Sequence, residues 1–163
     1  LSTDELLKRV FPFLNQGLTS QIERPLDLEY LKLIIPLIRE RLKTLAEAPE
    51  LCDFFLLDGL EYDPDKLIAK GMEPKDTINA LRIVRQRIEG LEVFDIESLE
   101  EVIRPIAEEL ELKTGQLFGT VRVAVTGRTA APPLFDTLAV LGRERCLARI
   151  DRAEKALASR SAS

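Results

Sequence analysis

The chain has 163 residues, 23 Lys and Arg against 28 Asp and Glu, a net charge of −5, no His, no Trp and two Cys. Without His there is no Ser-His-Asp or Cys-His nucleophile pair, no imidazole base near neutral pH and no histidine ligand for zinc. The length supports one good core or two small subdomains; a composition of 45% apolar and 31% charged residues is that of a soluble globular protein, with no apolar run long enough to span a membrane.

The start, Leu1 to Glu5, has neither the basic nor the apolar region of a secretion signal and no initiator Met, which fits a fragment of a longer chain. Cys52 and Cys146 read as two reduced core thiols of a cytoplasmic protein rather than a disulfide. Ser2 and Glu5 form a capping box before Leu6, Leu7 and Val10, and Pro12 is expected to bend or end that helix. Asp27 caps the next, whose apolar face runs Leu28, Leu31, Ile35, Ile38, Leu42 and Leu45, with a kink or break expected at Pro36. Pro49 starts a short helix holding Leu51, Cys52 and Phe55. Asp63-Pro64 starts another that Gly71 ends. A clean amphipathic helix follows at about 74–89, closed by Gly90.

Leu91 to Asp95 reads as a connector. Beyond it lies a helix at about 98–111, with Leu99, Val102, Ile103, Ile106 and Leu110 inward and Pro105 as an irregularity. Thr114 caps the next segment, in which Thr120 to Val125 is β-branched and alternating. Propensity alone makes that stretch a strand, but the sequence offers it no partner strand, so it is assigned to a helix. Pro132-Pro133 opens a helix at 133–141, Gly142 stops it, and a last helix runs to about 158, with Ser159 to Ser163 a frayed tail. The fold class is all-α, with no sheet.

Charge is unevenly spread. Residues 91–121 hold two basic and eight acidic side chains, whereas 122–163 hold eight basic and four acidic. The basic block is rich in arginine: Arg122, Arg128, Arg143, Arg145, Arg149, Arg152 and Arg160. Arginine's planar fork suits base edges, phosphates and carboxylates alike. A solvated helical face with local pairs, such as Glu144 with Arg143 or Arg145, accounts for the same pattern. Gly115 to Gly119 is no phosphate loop, lacking the Gly-Lys-Ser/Thr ending, and Gly127-Arg128 is at most a weak anion nest. The run Glu108-Glu109-Leu110-Glu111 reads as a hydrated face rather than a metal site. The hairpin hinged at Gly142 is short in its turn for a DNA-reading motif. Phe54, Phe55 and Phe118 read as core. No constellation supports catalysis by this segment.

The run Gly115-Gln116-Leu117-Phe118, Val121 to Gly127, Pro132-Pro133-Leu134-Phe135-Asp136-Thr137-Leu138 and Leu141-Gly142-Arg143-Glu144-Arg145 resembles the C-terminal end of bacterial-type glutamyl-tRNA synthetases. Val10-Phe11-Pro12-Phe13-Leu14, Arg41 to Leu45, Pro49-Glu50, Phe54-Phe55 and Tyr62-Asp63 extend the resemblance over nearly the whole chain. It implies a helical anticodon-binding cage of two subdomains, 1–92 and 93–163, without the catalytic domain. That absent domain implies ATP and magnesium; this segment implies no cofactor and no metal. The implied partner is glutamate tRNA, met at its anticodon loop by a cytoplasmic monomer with no role toward DNA or membrane.

The resemblance carries anticodon contacts onto Arg41, Arg104 and Arg122, and onto the loop Ala131-Pro132-Pro133-Leu134. In that loop the family's Thr is Ala131 and its Gly is Pro133, while Pro132 and Leu134 are kept. Arg41 falls at the contact to the third anticodon base. Glutamate anticodons end in cytosine, whose N3 and O2 are adjacent acceptors matched by two arginine N–H donors; uracil and guanine put donors on that edge. Such discrimination is worth about 1–3 kcal/mol by analogy with other bidentate base contacts. Pro132-Pro133 would present Leu134 to a base as a rigid apolar surface, the alternative being a core leucine at a helix start. Arg122 needs a partner, which RNA or an internal carboxylate such as Glu108 could supply. The rival functional reading is a helical protein-interaction module derived from a synthetase-like paralogue.

Overall fold

The computed structural model describes residues 1–130 and 132–161. Among these there are eight α-helices, three short 3-10 turns and no strand. The chain divides into two compact units, Leu1–Gly59 and Leu60–Ser163.

In the first unit, α1 (Thr3–Gly17) is capped by Ser2, whose hydroxyl accepts from the Glu5 N–H at 3.2 Å. Pro12 does not end it. The buried stripe Leu6, Leu7, Val10 and Leu14 packs against α2 (Leu28–Ile38) and α3 (Ala48–Leu56), and that packing outweighs one missing backbone bond. The end of α1 meets α3 so closely that a Cβ on Gly17 would stand 2.6 Å from Pro49 Cγ. Asp27 caps α2, accepting from the N–H groups of Glu29 and Tyr30 at 3.1 and 3.2 Å. Leu31, Ile34, Ile35 and Ile38 are fully buried.

The face expected to continue through Leu42 and Leu45 is cut short. Two residues past Pro36 the helix tightens into a 3-10 turn, Arg39–Arg41. The missing N–H of Pro36 is felt one turn back, at Lys32, and the Arg39 N–H still donates to Ile35 O. Past Ile38 the run Arg39 to Arg41 is exposed and offers no buried face to carry the helix on. A second turn, Leu45–Glu47, follows, with the Glu47 carboxylate accepting from the N–H groups of Lys43 and Thr44 at 3.0 and 3.4 Å.

In the second unit, Asp63 caps a 3-10 turn, Pro64–Leu67, by accepting from Asp65 N–H at 3.0 Å. Five helices follow: α4 (Pro74–Glu89), α5 (Ile96–Glu109), α6 (Thr114–Thr126), α7 (Leu134–Leu141) and α8 (Arg143–Ser161). The last helix lies along α4; α5 packs on α4, α6 and α7; α6 packs on α8 and the 3-10 turn. The connector Leu91 to Asp95 therefore lies inside this unit, between two packed helices, and the division between compact units falls earlier, at Gly59–Leu60. The stretch expected to fray is helical through Ser161.

The β-branched segment is a helix. Leu117, Val121 and Val125, at i, i+4 and i+8, are fully buried on one face, and tertiary packing overrides strand propensity there. Thr120, also fully buried, donates its hydroxyl to Leu67 O at 2.8 Å. Gly127 ends the helix at φ +75°, its N–H donating to Val123 O at 2.7 Å. That left-handed cap favours glycine. Gly142, at φ +88°, turns the chain from α7 into α8.

Candidate nucleic-acid interface

Arg41 is the last residue of the turn that closes α2, and it is exposed. Because the helix ends at Ile38, Arg41 stands at the unit's surface on a tight turn rather than along a helix side. It makes no hydrogen bond or ion pair among the described residues, so its donor fork faces solvent. Its neighbour Arg39 is used internally, donating to Leu1 O.

In the second unit Arg104 stands against two aromatic rings. Phe118 of α6 and Phe135 of α7 meet edge to face, with centroids 5.2 Å apart and planes at 87°. The guanidinium carbon of Arg104, on α5, stands 5.3 Å from the Phe118 centroid and 6.0 Å from that of Phe135. This is cation–π distance. One turn back on α5, Glu100 Oε1 accepts from Arg104 Nε at 3.1 Å and Nη2 at 2.7 Å. Arg122 is half-buried and follows Phe118 by four residues, on the same side of α6.

The loop entering α7 is held at its helical end, where the Thr137 hydroxyl donates to Pro133 O at 2.8 Å. Before it, Thr126 Oγ1 accepts from the Arg128 N–H at 3.1 Å. Gly127 packs beside Tyr62, whose hydroxyl is held above the ordinary phenol range by burial, partly offset by Arg152 and Arg149. Pro132 is buried and Pro133 exposed. Leu134 is only 4% exposed, so its side chain belongs to the core and offers no surface to a base. The helix α7 opens at Leu134, and its first apolar residue is drawn inward with Phe135 and Leu138. Ala131 lies outside the described residues.

The arginine-rich block divides into two sorts. Arg143 Nη1 donates to Ile88 O at 2.9 Å and Glu89 O at 3.2 Å, closing the C-terminus of α4, and its guanidinium sits 5.4 Å from the Phe94 ring. Arg149 is 5% exposed and donates to Val125 O at 2.7 Å, capping α6 from α8. Arg160 pairs with Asp63 and Asp65 at 3.4 and 2.5 Å. These three hold the fold. The local Glu144 pairing is not what occupies Arg143; carbonyls of another helix are. From the acidic run, Glu109 pairs with Arg87 at 2.5 and 3.0 Å, which holds its carboxyl below the usual range. No group of three potential metal ligands occurs among the described residues.

Sequence reasoning did not single out Phe135, and it assigned Phe118 to the core although the ring is half-buried. The spacing of Phe118 and Arg122 on one helical side was the available signal. Phe54 and Phe55 are core, as expected.

Comparison with known proteins identifies the family. Residues 5–154 match the family model described as an anticodon binding domain. A glutamate–tRNA ligase of Roseiflexus castenholzii is 49% identical over 98% of this chain and 32% of its own length. One from Dehalococcoides mccartyi is 48% identical over 92% of this chain and 31% of its own. The chain thus spans about a third of the curated relatives it matches. A crystal structure of a glutamate tRNA ligase from Elizabethkingia meningosepticum shares the fold, with TM-score 0.78 at 22% identity over 95% of this chain and 29% of that one. With the family model covering all eight helices in whole or part, this chain belongs to the anticodon-binding domain family.

Proposed function

We propose that this chain reads the anticodon of glutamate tRNA on behalf of a glutamate–tRNA ligase. The observation that carries the proposal is the 49% identity to such a ligase over 98% of the chain. The exposed donor fork of Arg41 and the Arg104 cluster support it from the chemistry. Sequence-specific RNA readers stack unpaired bases on aromatic or guanidinium planes and bond their Watson–Crick edges. Attachment of glutamate, with ATP and magnesium, belongs on this reading to a catalytic part outside the chain, in a cytoplasmic, monomeric parent.

On this reading, Arg41 takes the cytosine that ends the anticodon. Arg104, Arg122 and the segment at Ala131 and Pro132 take the other bases. Leu134 shapes that segment from the core side. The test is titration of the chain with glutamate tRNA, an anticodon-altered copy and duplex DNA. Preference for the first supports the proposal; equal weak binding to all three overturns it in favour of a protein-interaction module. Arg41→Gln should relax the preference for cytosine over guanine at the third anticodon position by about 1–3 kcal/mol. An unchanged preference removes Arg41 from the site.

A further inference from the structure

Arg104 is held more tightly than an exposed arginine needs to be. Its side chain is 53% exposed, yet one edge is fixed by a single Glu100 oxygen and one face lies against Phe118. Its second terminal nitrogen, Nη1, has no partner among the described residues. Stacking on a ring alone leaves a guanidinium able to turn in its own plane. The carboxylate removes that freedom, restricting a side chain that otherwise carries considerable rotamer entropy. The surroundings are also selective by charge. Glu97, Glu100, Glu101, Arg104 and Pro105 line an open hollow of about 330 Å³. Three carboxylates there repel a phosphate and do not repel an uncharged base.

We infer that Glu100 is a positioning residue for Arg104, fixing the guanidinium over Phe118 so that its open edge and outer face meet a nucleobase rather than a phosphate. The inference rests on the anticodon reading and adds to it how one of its arginines is made specific. Preorganisation lowers the ordering cost of binding, and stacking plus donor geometry then depends on Glu100 as well as on Arg104.

The experiment uses the 163-residue chain and a synthetic RNA hairpin bearing the glutamate anticodon, with copies in which each anticodon base is replaced in turn. Variants are Glu100→Gln, Glu100→Asp, Arg104→Ala and the double variant Glu100→Gln with Arg104→Ala; each is checked for an unchanged melting curve. Glu100→Gln should lower the ratio of cognate to altered affinity at one of the first two bases by about fivefold, the loss of one base-stacking contact. The same change removes a negative charge, so overall affinity should not fall in proportion. Glu100→Asp keeps the charge but loses reach, and should lower the ratio without any gain in affinity. In the Arg104→Ala background, Glu100→Gln should leave the ratio unchanged.

A ratio preserved in both Glu100 variants makes Glu100 an ordinary surface acid and overturns the inference. A salt slope reduced by about one phosphate in Arg104→Ala makes Arg104 a phosphate contact and overturns it too. A wild-type chain with no base preference overturns the anticodon reading itself, an outcome distinct from both.

Discussion

The bridge between Arg85 and Glu154 joins α4 to α8, the two helices that run together through the second unit. Arg85 Nε donates to Glu154 Oε2 at 2.5 Å and Nη2 to Oε1 at 3.1 Å, a two-pronged pair with side chains 26% and 12% exposed. Glu154→Gln keeps the shape, removes the charge and turns one acceptor into an amide NH2 group that faces a donor. A charge-assisted bond contributes roughly 1.5–3 kcal/mol. Arg85 keeps about a quarter of its surface in water and can rehydrate, so the net loss is set at about 1–2 kcal/mol. A chain of this size loses about 2–4 °C of melting temperature per kcal/mol, which puts the shift at roughly 2–8 °C downward. Far-UV circular dichroism melts measure it. Arg85→Met combined with Glu154→Leu should recover part of the loss, since no charge is then stranded. A Glu154→Gln chain melting within about 1 °C of wild type would equate the bridge with an exposed surface pair and refute the reasoning.

Gly127→Ala places a side chain at φ +75° with its Cβ 3.3 Å from Tyr62 Cδ1; denaturant unfolding should show a loss of about 1–2 kcal/mol, and unchanged stability would mean the loop adopts another path. Asp95 caps α5 by accepting from the Ser98 N–H at 2.8 Å, a bond that lowers its carboxyl pKa with help from the Ser98 side chain. Its contribution to stability is therefore complete above the ordinary carboxylate range and lost as pH falls through the depressed value; NMR titration of this carboxyl at or above the ordinary aspartate value contradicts the cap. Burial pushes the Cys146 thiol up to about 12, so iodoacetamide should label neither Cys146 nor the equally buried Cys52 in native protein at mildly alkaline pH, and labelling of either before unfolding argues against this core.

Helix placement was legible wherever a cap and a periodic face coincided: Asp27 before α2, Pro74 to Gly90 for α4, Gly142 between α7 and α8. It was not legible where proline competed with packing. Pro12 and Pro105 lie inside helices that continue, whereas Pro36 is followed by an end within two residues. The lost bond falls one turn upstream of each proline and does not itself set where a helix ends; α2 stops where Arg39 to Arg41 offer no buried face, a tertiary property. The positions of the arginines were legible, but their use was not. Spacing cannot tell that Arg149 reaches a carbonyl of α6 or that Arg143 closes α4, because both partners lie on other helices. Leu134 had two readings in the sequence, and the structure buries it in the first turn of α7.

The engagement of Arg143, Arg149 and Arg160 within the fold also governs how this domain should respond to ionic strength. Each phosphate neutralised on a single strand releases counterions and adds about −0.7 to the slope of log affinity against log salt. Cations already bonded to internal carbonyls and aspartates release none, since breaking those bonds would loosen α4, α6 or the turn at Pro64. A tally of the basic residues in the C-terminal block therefore overstates the electrolyte dependence of RNA binding by about three such contributions. On the anticodon reading, selectivity among bases rests on stacking and donor geometry, which salt screens little, so it should outlast affinity as ionic strength rises.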